Sequence, residues 1–395
     1  MSKTYFNISD KLRLYEFDGM LDQYGDAAAA YSLRKLRNGY TGDAIRVRRS
    51  SDNTERDMGF YDNELDTVAL LNWVNEEYTF IEEPFDGAYT WNVALGSASV
   101  NGGVLDFPDG VNTVVFTSIG NTLKTQQVRV TFTILNYQSG SIKFQNYNNG
   151  ADGTNRTADG TYTEILTISE SGNNNFGFGG TLHGQIDDFK IEQLTADGHV
   201  HTWYDQSANA NHAVQGTATA QPKIVDAGAV VEDNGKPAII YDDVDDFFPI
   251  NSLFTNADGE HSVYSVINQN NLAGTILGIV SSGGYYFRYT STTPSSLLWY
   301  LPNTTNAAMS LTGPTGQGLI SLNIGGGTAY AYVNNTLNNS ISSTGPLNNH
   351  PNGIGRYASA NYFGGYMQEI VAYEVNTISS RNDINTNINT YYDIY

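Results

Sequence analysis

Short runs in which apolar and polar residues alternate recur along most of the chain, and they constrain its fold more than any other feature. Such runs include "QQVRVTFTIL" (126–135), "SVYSVINQ" (262–269) and "TAYAYVNN" (328–335), with clusters of Gly, Asn, Ser and Thr between runs of this kind. A period of two places alternate side chains on opposite faces of a strand, and short strands separated by turn residues are typical of sandwiches and barrels. The pattern therefore predicts an all-β fold with few short helices.

Helical periodicity is confined to three segments. Apolar residues recur at spacings of three and four over 26–36, 62–77 and 379–395, and Asp26 precedes the first of these as a candidate cap. The sequence therefore predicts short helices in these three places.

The length of the chain and the change in residue pattern along it predict two β domains, one inserted into the other. A chain of 395 residues exceeds the usual size of a single domain, so more than one hydrophobic core is expected. Residues 78–195 read as an autonomous sandwich of short strands, and the segments on either side read as neighbours. We therefore expect an N-terminal attachment arm at 1–25, a discontinuous domain at 26–77 plus 196–395, and an inserted β-sandwich at 78–195.

Charge and composition exclude several classes of function. The formal net charge of −21 argues against nucleic acid, whose phosphates must be neutralised by Lys and Arg. The chain contains no cysteine, so it has neither disulfides nor thiolate metal ligands. The start "MSKTYFNISDKLRLYEF" lacks the apolar run of a signal peptide, and no stretch approaches the ~20 apolar residues of a membrane span. We expect a protein that is made in a cytoplasm, carries no signal peptide and does not insert into a membrane.

Several segments resemble known families. The segments "AAAAYSLRKLRNGYTGDAIRVRRSSDNTERDMGF" (27–60) and "TWYDQSANANHAVQ" (202–215) resemble the catalytic domain of arabinofuranosidase B-type enzymes, which is a concanavalin A-like jelly roll. The segments "QPKIVDAGAVVEDNGKPAIIYDDVDDFF" (221–248) and "GYMQEIVAYE" (365–374) resemble laminin-G-like domains, which are common in tail, fibre and head-associated proteins of bacteriophages. The "IDDFKIEQL" segment is similar to carbohydrate-binding-module-like jelly rolls. The resemblance implies a concanavalin A-like (laminin-G-like) sandwich with a second β-sandwich inserted.

The resemblance also implies a function, in two alternatives. The first is a non-enzymatic phage virion protein, a head-fibre, tail-fibre or capsid-surface component that mediates assembly and attachment to host glycans. Its expected location is the virion, and its expected partners are other virion proteins and host surface glycans, in a homo-oligomer for which fibre proteins suggest a trimer. The second alternative is an arabinofuranosidase-like glycoside hydrolase that acts on cell-surface polysaccharide.

The segment that should carry a catalytic acid departs from the enzyme pattern. In the resembling enzymes one catalytic carboxylate lies in a "GDNS"-like stretch before a "GTFYEG"-like strand. Here "GIGRYASANYFGGYMQEI" (353–370) has Arg356, Tyr357 and Ala358 where the acid belongs. We therefore expect no enzyme activity and no catalytic residues.

Aromatic side chains in predicted loops, with one acid, are the candidates for carbohydrate binding, because aromatic faces pack on sugar rings. These candidates are Trp203, Asp205, Tyr285, Tyr286, Trp299, Tyr300, Tyr357 and Tyr362. Two interpretations remain open for "HTWYDQSANANHAV" (201–214). It could form a sugar pocket, or a strand ending in a turn that Asp205 closes by accepting backbone N–H groups. The turn is the favoured interpretation.

The charged residues are expected to make local structural contacts more than to bind metal. The acidic stretches "YDDVDDFF" (241–248) and "LDFPDG" (105–110) could hold Ca²⁺, which takes several oxygen ligands. His199 and His201 share one face of a strand, but no third ligand is in view. The arginines of "RVRRSSDNTERDMGF" (46–60) are expected to pair with nearby carboxylates. No cofactor is predicted, and Ca²⁺ is the one ion that the sequence leaves open.

Overall fold

The structure is a computed structural model that describes residues 19–395 apart from 77, 84, 88, 119–125, 147–151, 169–174, 256–258, 271–273, 281–283, 293–294, 303–306, 348 and 359. The described helices are α1 (Met20–Gln23), α2 (Thr67–Val74) and α3 (Arg381–Tyr392). Within the described part of the chain, no helix is long and apolar enough to cross a membrane.

Strands make up most of the regular structure, and they fall into three stretches of the chain. Before residue 78 they are β1 (Ala27–Ser32), β2 (Ile45–Arg49), β3 (Glu55–Met58), β4 (Phe60–Tyr61) and β5 (Glu64–Leu65). From 78 to 193 they are β6 (Tyr78–Glu83), β7 (Asn92–Leu95), β8 (Ser99–Asn101), β9 (Val104–Phe107), β10 (Thr113–Ser118), β11 (Gln127–Ser139), β12 (Ile142–Asn146), β13 (Gly160–Thr167), β14 (Asn175–Gly180) and β15 (His183–Gln193). After 193 they are β16 (Gly198–Trp203), β17 (Ala213–Val214), β18 (Lys223–Asp226), β19 (Ala229–Val230), β20 (Glu232–Asp233), β21 (Lys236–Pro237), β22 (Ile239–Asp242), β23 (Phe248–Pro249), β24 (His261–Gln269), β25 (Gly274–Gly278), β26 (Tyr286–Thr292), β27 (Ser295–Leu301), β28 (Ala307–Thr312), β29 (Gly318–Gly325), β30 (Thr328–Val333), β31 (Thr336–Ser342), β32 (Gly353–Ile354) and β33 (Gly364–Tyr373).

Two sheets from the first and third stretches pack face to face. The back sheet has the order β3-β2-β16-β18-β22-β33-β24-β29-β30-β31, with β1 beside β33, and the front sheet has the order β23-β32-β25-β26-β27-β28. Their shared core includes Trp203 and Val263 from the back sheet and Phe287 and Trp299 from the front sheet. This is the arrangement of a β-sandwich, in which inward residues of both sheets interdigitate.

Helix α3 covers the other face of the back sheet. Its Ile384, Ile388 and Tyr392 pack in one buried cluster with Val266 and Leu319 of the central strands. A helix predicted over 379–395 is thus confirmed. The helix predicted over 62–77 is confirmed over a shorter range, as α2.

The prediction of a helix over 26–36 is wrong, because Ala27–Ser32 forms strand β1 and pairs with β33. Ala29 and Tyr31 face the core between the sheets, whereas Ala27 and Ala30 pack in the cluster under α3. A strand buried on both faces reads as a continuous apolar run without alternation. The helix propensity of alanine is overridden here by burial in the centre of the sheet.

Residues 78–193 form two further sheets with a hydrophobic core of their own. A four-stranded sheet has the order β12-β14-β10-β7, and a six-stranded sheet has the order β13-β11-β15-β9-β8 with β6 beside β15. Their core is rich in aromatic residues, and the ring centroid of Phe178 lies 5.2 Å from that of Phe132 and 5.1 Å from that of Phe189. The first and last strands pair with each other, Tyr78 opposite Gln193, so the chain enters and leaves side by side. The predicted all-β fold class, with a second sandwich and few short helices, is confirmed.

Most of the predicted N-terminal arm, residues 1–18, lies outside the described residues. The remainder packs onto the molecule, since Met20 and Leu21 of α1 are buried in the cluster under α3. The amide of Leu21 also donates to the carbonyl of Leu36 at 2.8 Å. Residues 20–23 therefore belong structurally to the sandwich.

Candidate functional site: a tyrosine and arginine surface

Strands β26 and β27 sort their aromatic residues onto the two faces of the front sheet. Phe287 and Trp299 point into the core and are fully buried, whereas Tyr286 and Tyr300 lie half-buried on the opposite face. Tyr286 pairs directly with Tyr300 in the register, and their ring centroids lie 5.1 Å apart with an interplanar angle of 19°. Because cross-strand neighbours on one face touch, two stacked tyrosines form on the outward face.

Tyr357 adds a third ring from the segment between β32 and β33. Its ring centroid lies 4.8 Å from that of Tyr286, at an angle of 60°. The segment approaches the sheet at Gly278, where a Cβ atom would lie 2.8 Å from the carbonyl oxygen of Arg356 and 3.1 Å from Cβ of Tyr357. The absence of a side chain at Gly278 therefore lets this segment seat on the sheet. We call Tyr286, Tyr300 and Tyr357 the tyrosine platform.

Arg288 lies beside the tyrosine platform on the same face. Its guanidinium carbon is 5.0 Å from the ring centroid of Tyr286, within the range of a cation–π contact. Its Nη1 donates a hydrogen bond to Oδ1 of Asn361 at 3.0 Å, and its Nε is buried without a hydrogen-bond partner among the described residues. Asn361 has a φ of 56°, a conformation that asparagine tolerates better than most residues.

Arg356 forms a second group next to the first. Its guanidinium carbon is 4.5 Å from the ring centroid of Phe247 and 5.4 Å from that of Tyr362, and its Nε donates to the carbonyl of Ala358. Asn361 and Tyr362 are consecutive residues, so the segment that binds Arg288 also contacts Arg356. The tyrosine platform and the two arginines therefore belong to one continuous surface.

The structure divides the sequence-predicted site residues into two sets. The side chains of Trp203, Tyr285 and Trp299 are 0% exposed and Asp205 is 1% exposed, so they belong to the interior and offer no face to a ligand. The surface set is Tyr286, Tyr300, Tyr357 and Tyr362. The alternation in "YYFRYT" (285–290) and "SSLLWYL" (295–301) contains the signal that separates the two sets. Sequence reasoning missed Arg288 and Phe247 as parts of the surface.

Asp205 closes a loop, which we call the Asp205 loop (204–212). Its Oδ1 accepts the N–H groups of Ala30 at 2.7 Å and Ser207 at 2.8 Å. Its Oδ2 accepts the hydroxyl of Ser207 at 2.7 Å and the N–H of Asn211 at 2.9 Å. His212 accepts the N–H of Asp205 at 3.1 Å. Of the two interpretations of this segment, the structure has the turn.

Two of the three arginines of β2 pair with nearby carboxylates, as expected. Arg46 binds Asp57 through two hydrogen bonds of 2.8 and 2.7 Å, and this guanidinium lowers the pKa of Asp57. Arg49 binds Asp52 in the same way at 2.9 and 2.8 Å. Arg48 donates instead to side-chain and backbone oxygens. These contacts fix the neighbouring loops, and the carboxylates of Asp52 and Asp57 are engaged by arginine.

The acidic hairpin at 241–248 brings three carboxylates together. One oxygen each from Asp242, Asp245 and Asp246 lies within 4.8 Å of the others. The hairpin's own backbone uses two of these side chains, because Oδ1 of Asp242 accepts the N–H of Val244 at 2.9 Å and Oδ2 of Asp246 accepts the N–H of Asp242 at 3.0 Å. Burial, together with the neighbouring Asp242, raises the pKa of Asp246 to about 8. A cavity of about 210 Å³ adjoins the group and is lined in part by Tyr241.

The other candidate metal ligands make local contacts. Asp106 accepts a hydrogen bond from Gln185, and Asp109 accepts one from Ser97. His199 and His201 hydrogen-bond through Nδ1 to neighbouring oxygens, and burial lowers the pKa of His199 to about 4. In the described part of the chain, the acidic hairpin is the one group of at least three potential ligands within reach of a single ion.

Comparisons with known proteins give structural neighbours only. No family model matches the chain, and no curated protein matches it. Among solved structures, a GH54 α-L-arabinofuranosidase soaked with 4-nitrophenyl α-L-arabinofuranoside is 12% identical, with a TM-score of 0.43, over 92% of this chain and 62% of that chain. Domains LG4-5 of the mouse laminin α1 chain are 11% identical, with a TM-score of 0.30, over 63% of this chain and 82% of theirs. The CBM40 of a Ruminococcus gnavus IT-sialidase, bound to α2,6-sialyllactose, is 12% identical, with a TM-score of 0.27, over 33% of this chain and 83% of that chain.

Proposed function

We propose that this protein binds glycans non-covalently through the tyrosine platform. Aromatic faces pack against the apolar faces of sugar rings, and a few polar groups at the rim bind hydroxyls. The rings of Tyr300 and Tyr357 supply the faces, Tyr286 supports them through its contacts with both rings, and Arg288 and Asn361 supply the polar groups. The observation that carries the proposal is the gathering of these rings on the outward face of the front sheet, with the core aromatics on the other side.

The proposal does not include hydrolysis. Retaining glycosidases use two carboxyl groups about 5–5.5 Å apart, on either side of the reacting bond. The strands of the front sheet contain no Asp or Glu. Arg356, Tyr357 and Ala358 also stand where the resembling enzymes have an acid. Both observations support a binding role.

We propose further that the binding is multivalent, in a virion component that assembles as a homo-oligomer. A shallow surface of half-buried rings gives low affinity in a single copy, and linking several copies raises the apparent affinity without new contacts. The resemblance of two segments to laminin-G-like domains, which are common in bacteriophage head and tail proteins, supports this setting. The separate core of residues 78–193 supports an inserted unit with its own hydrophobic interior.

Replacement of platform tyrosines tests the proposal. We expect Tyr300→Ala and Tyr357→Ala to weaken binding about tenfold or more, because central aromatic contacts dominate interfaces of this kind. The ligand is first found by applying the full chain to a glycan array, and affinities are then measured by calorimetry. Tyr61→Ala is the matched control, since Tyr61 is 75% exposed and lies away from the platform. Array-wide absence of binding, or a Tyr300→Ala protein that binds as the wild type does, would contradict the proposal.

One observation favours a second candidate function, a glycoside hydrolase centred on the acidic hairpin. A carboxyl group whose pKa is about 8, beside a second carboxylate and a cavity, has the protonation that a general acid requires. The hydrogen bonds that the same carboxylates accept from the hairpin backbone support a structural role instead. An assay on aryl arabinofuranosides separates the two. Turnover by the wild type that is lost in Asp246→Asn and kept in Asp226→Asn, which changes another acid lining the cavity, would favour the hydrolase.

A further inference from the structure

We infer that the glycans bound at the tyrosine platform carry a carboxylate, as uronic and sialic acids do, and that Arg288 and Arg356 bind it. This inference rests on the proposed function and specifies its ligand class. The structural feature behind it is a pair of arginines placed among surface aromatic rings, with hydrogen-bond donors that no acidic residue in the described part of the chain uses.

The first step concerns ion pairing in an acidic chain. With 41 acidic and 20 basic residues, carboxylates are plentiful, and several arginines pair with them. These paired arginines are Arg34, Arg46, Arg49, Arg129 and Arg156. Among the described residues, no Asp or Glu lies within ion-pair distance (4.0 Å) of Arg288 or Arg356. Neither guanidinium is therefore held in an ion pair with a described carboxylate.

The second step concerns the unused donors. A guanidinium group has five N–H donors in a fixed planar arrangement. Arg288 directs Nη1 to the amide oxygen of Asn361 and keeps a buried Nε without a partner among the described residues. Because that Nε is enclosed by the protein, a ligand would be bound through the terminal Nη groups, which donate charge-assisted hydrogen bonds to a carboxylate. A bound carboxylate would therefore gain more at Arg288 than a hydroxyl, which accepts more weakly.

The third step is the coupling between stacking and charge. The ring of Tyr286 contacts Arg288 at 5.0 Å and the rings of Tyr300 at 5.1 Å and Tyr357 at 4.8 Å. A sugar ring seated on Tyr300 or Tyr357 therefore has the guanidinium of Arg288 one tyrosine away. Arg356 immediately precedes Tyr357 in the sequence, and its guanidinium carbon lies 5.4 Å from the ring centroid of Tyr362 on the same surface.

The fourth step is the competition with the net charge of the whole protein. A charge of −21 repels anions at long range, but at physiological salt charges separated by more than about 8 Å are largely screened. The nearest charges then decide the local potential, and at this surface they include two arginines that form no ion pair with any described residue. The carboxylate contribution to binding should consequently decrease as the salt concentration rises.

Matched pairs of ligands test the inference on the full chain. The first pair is oligogalacturonate and its carboxyl-reduced form, and the second is sialyllactose and its carboxyl-reduced form, so the members of each pair differ chiefly by the acidic group. We expect the acidic member of one pair to bind roughly tenfold to a hundredfold more tightly in calorimetry, as charge-assisted bidentate hydrogen bonds allow. Which pair shows the difference identifies a uronic or a sialic acid as the source of the carboxylate.

Arginine variants assign the preference to these residues. Arg288→Gln and Arg356→Gln should each remove most of the acidic preference, measured as the ratio of the affinities for the acidic and the neutral member of the pair. Arg288→Lys keeps the positive charge but lacks the planar donor arrangement of a guanidinium, so its acidic preference should fall between those of the wild type and Arg288→Gln. Arg56→Gln is the matched control, because it removes one positive charge from an exposed position on β3. Thermal unfolding of each variant shows that it is folded, and Arg288→Lys serves in place of Arg288→Gln if the latter is not.

The possible results separate this inference from the proposed function. If acidic and neutral members bind equally, or if Arg288→Gln and Arg356→Gln keep the acidic preference, the inference is overturned. If that happens while Tyr300→Ala still loses binding, glycan binding at the platform stands without the carboxylate. If no member of either pair binds, the inference is overturned, and the glycan array decides the proposed function separately.

Discussion

Two loops of nearly the same residue types have opposite fates in this molecule. The Asp205 loop has the sequence "YDQSANANH" (204–212), and the loop that carries Tyr357, which we call the Tyr357 loop, has the sequence "GRYASANY" (355–362). Each places an alanine in the left-handed region, Ala210 with a φ of 52° and Ala358 with a φ of 56°. The first is closed around a buried carboxylate, whereas the second presents arginine and tyrosine side chains at the surface.

The two loops differ in the identity of their charged residue and in the acceptors that their hydrogen-bond donors use. In the Asp205 loop, N–H groups from three residues converge on the carboxylate of Asp205, so its polar groups are used internally. In the Tyr357 loop, the charged residue is Arg356, which donates to a single loop carbonyl and lies against rings. Composition rich in Tyr, Asn and Ser therefore does not distinguish a binding loop from a structural one, but the destination of the hydrogen bonds does.

The largest expected effect follows from removing the carboxylate that closes the first loop. Asp205→Ala leaves three buried N–H groups and a hydroxyl without their acceptor, and each loss of this kind costs about 1–3 kcal/mol. Partial relaxation reduces the sum, so we expect a loss of about 4 kcal/mol or more in the free energy of unfolding. Urea unfolding followed by tryptophan fluorescence measures it, since Trp203 lies directly before the loop.

The matched variant in the second loop is Arg356→Ala. Its side chain makes cation–π contacts at the surface, which are worth about 0.5–1 kcal/mol at exposed sites. We expect a loss below about 1 kcal/mol in the same experiment. Similar losses for Asp205→Ala and Arg356→Ala would remove the distinction between the two loops.

The next effect uses pH to test the burial of His261, a back-sheet residue that packs against the inner face of the front sheet. His261 is fully buried against Phe254, with Tyr285 and Trp299 nearby, and burial, with a smaller contribution from His350, lowers its pKa to about 4. The unfolded chain binds a proton below about pH 6.5 whereas the folded protein does not, so this residue destabilises the fold progressively as the pH falls. His261→Gln removes the titration.

The measurement is the difference in unfolding free energy between wild type and His261→Gln. It should be constant above pH 6.5 and shift by roughly 3 kcal/mol in favour of the variant as the pH falls to 4. The difference is informative because Asp246, whose pKa is raised to about 8, has the opposite pH dependence and is present in both proteins. A flat difference between pH 7 and 4 would mean that His261 titrates normally and is accessible to water.

A smaller effect tests how the Tyr357 loop is held. Gly278→Ala introduces a Cβ 2.8 Å from the carbonyl of Arg356, so the loop must move away from the sheet. We expect roughly tenfold weaker glycan binding and a stability loss of about 1–2 kcal/mol, as overpacking typically causes. Gly216→Ala is the control, since its Cβ would meet nothing within 4 Å. Unchanged binding by Gly278→Ala would show that the position of Tyr357 does not matter.

The alternation of residue types predicted the strands, and it also indicated which aromatic residues lie on the outward face of the front sheet. In "YYFRYT" (285–290) a period of two separates Tyr286 and Arg288 from Tyr285, Phe287 and Tyr289, and the structure places the two sets on opposite faces. The turn closed by Asp205 was also predictable, because an aspartate before Ser and Asn has a local preference to accept their N–H groups.

Contacts between distant residues could not be predicted from one sequence. The stacking of Tyr286 on Tyr300 depends on the register of two strands, and the approach of Tyr357 depends on a loop about 70 residues later crossing at Gly278. Burial on both faces hid the strand at 27–32, since its alanines show no alternation and favour a helix by propensity. Local pattern therefore determined elements and faces, and tertiary packing determined which rings meet.

The smallest expected effect returns to the feature that the two loops share, an alanine in the left-handed region. For a residue with a Cβ this conformation costs about 1–2 kcal/mol, and glycine adopts it without the same penalty. Glycine also gains entropy in the unfolded chain, so the net gain from Ala210→Gly should be about 0.5–1 kcal/mol. Ala358→Gly should stabilise by a similar or smaller amount and weaken glycan binding, because a more mobile Tyr357 loop must be ordered when ligand binds. Urea unfolding and calorimetry of both variants provide the comparison. Equal changes in binding for the two variants would show that the rigidity of the Tyr357 loop plays no part in recognition.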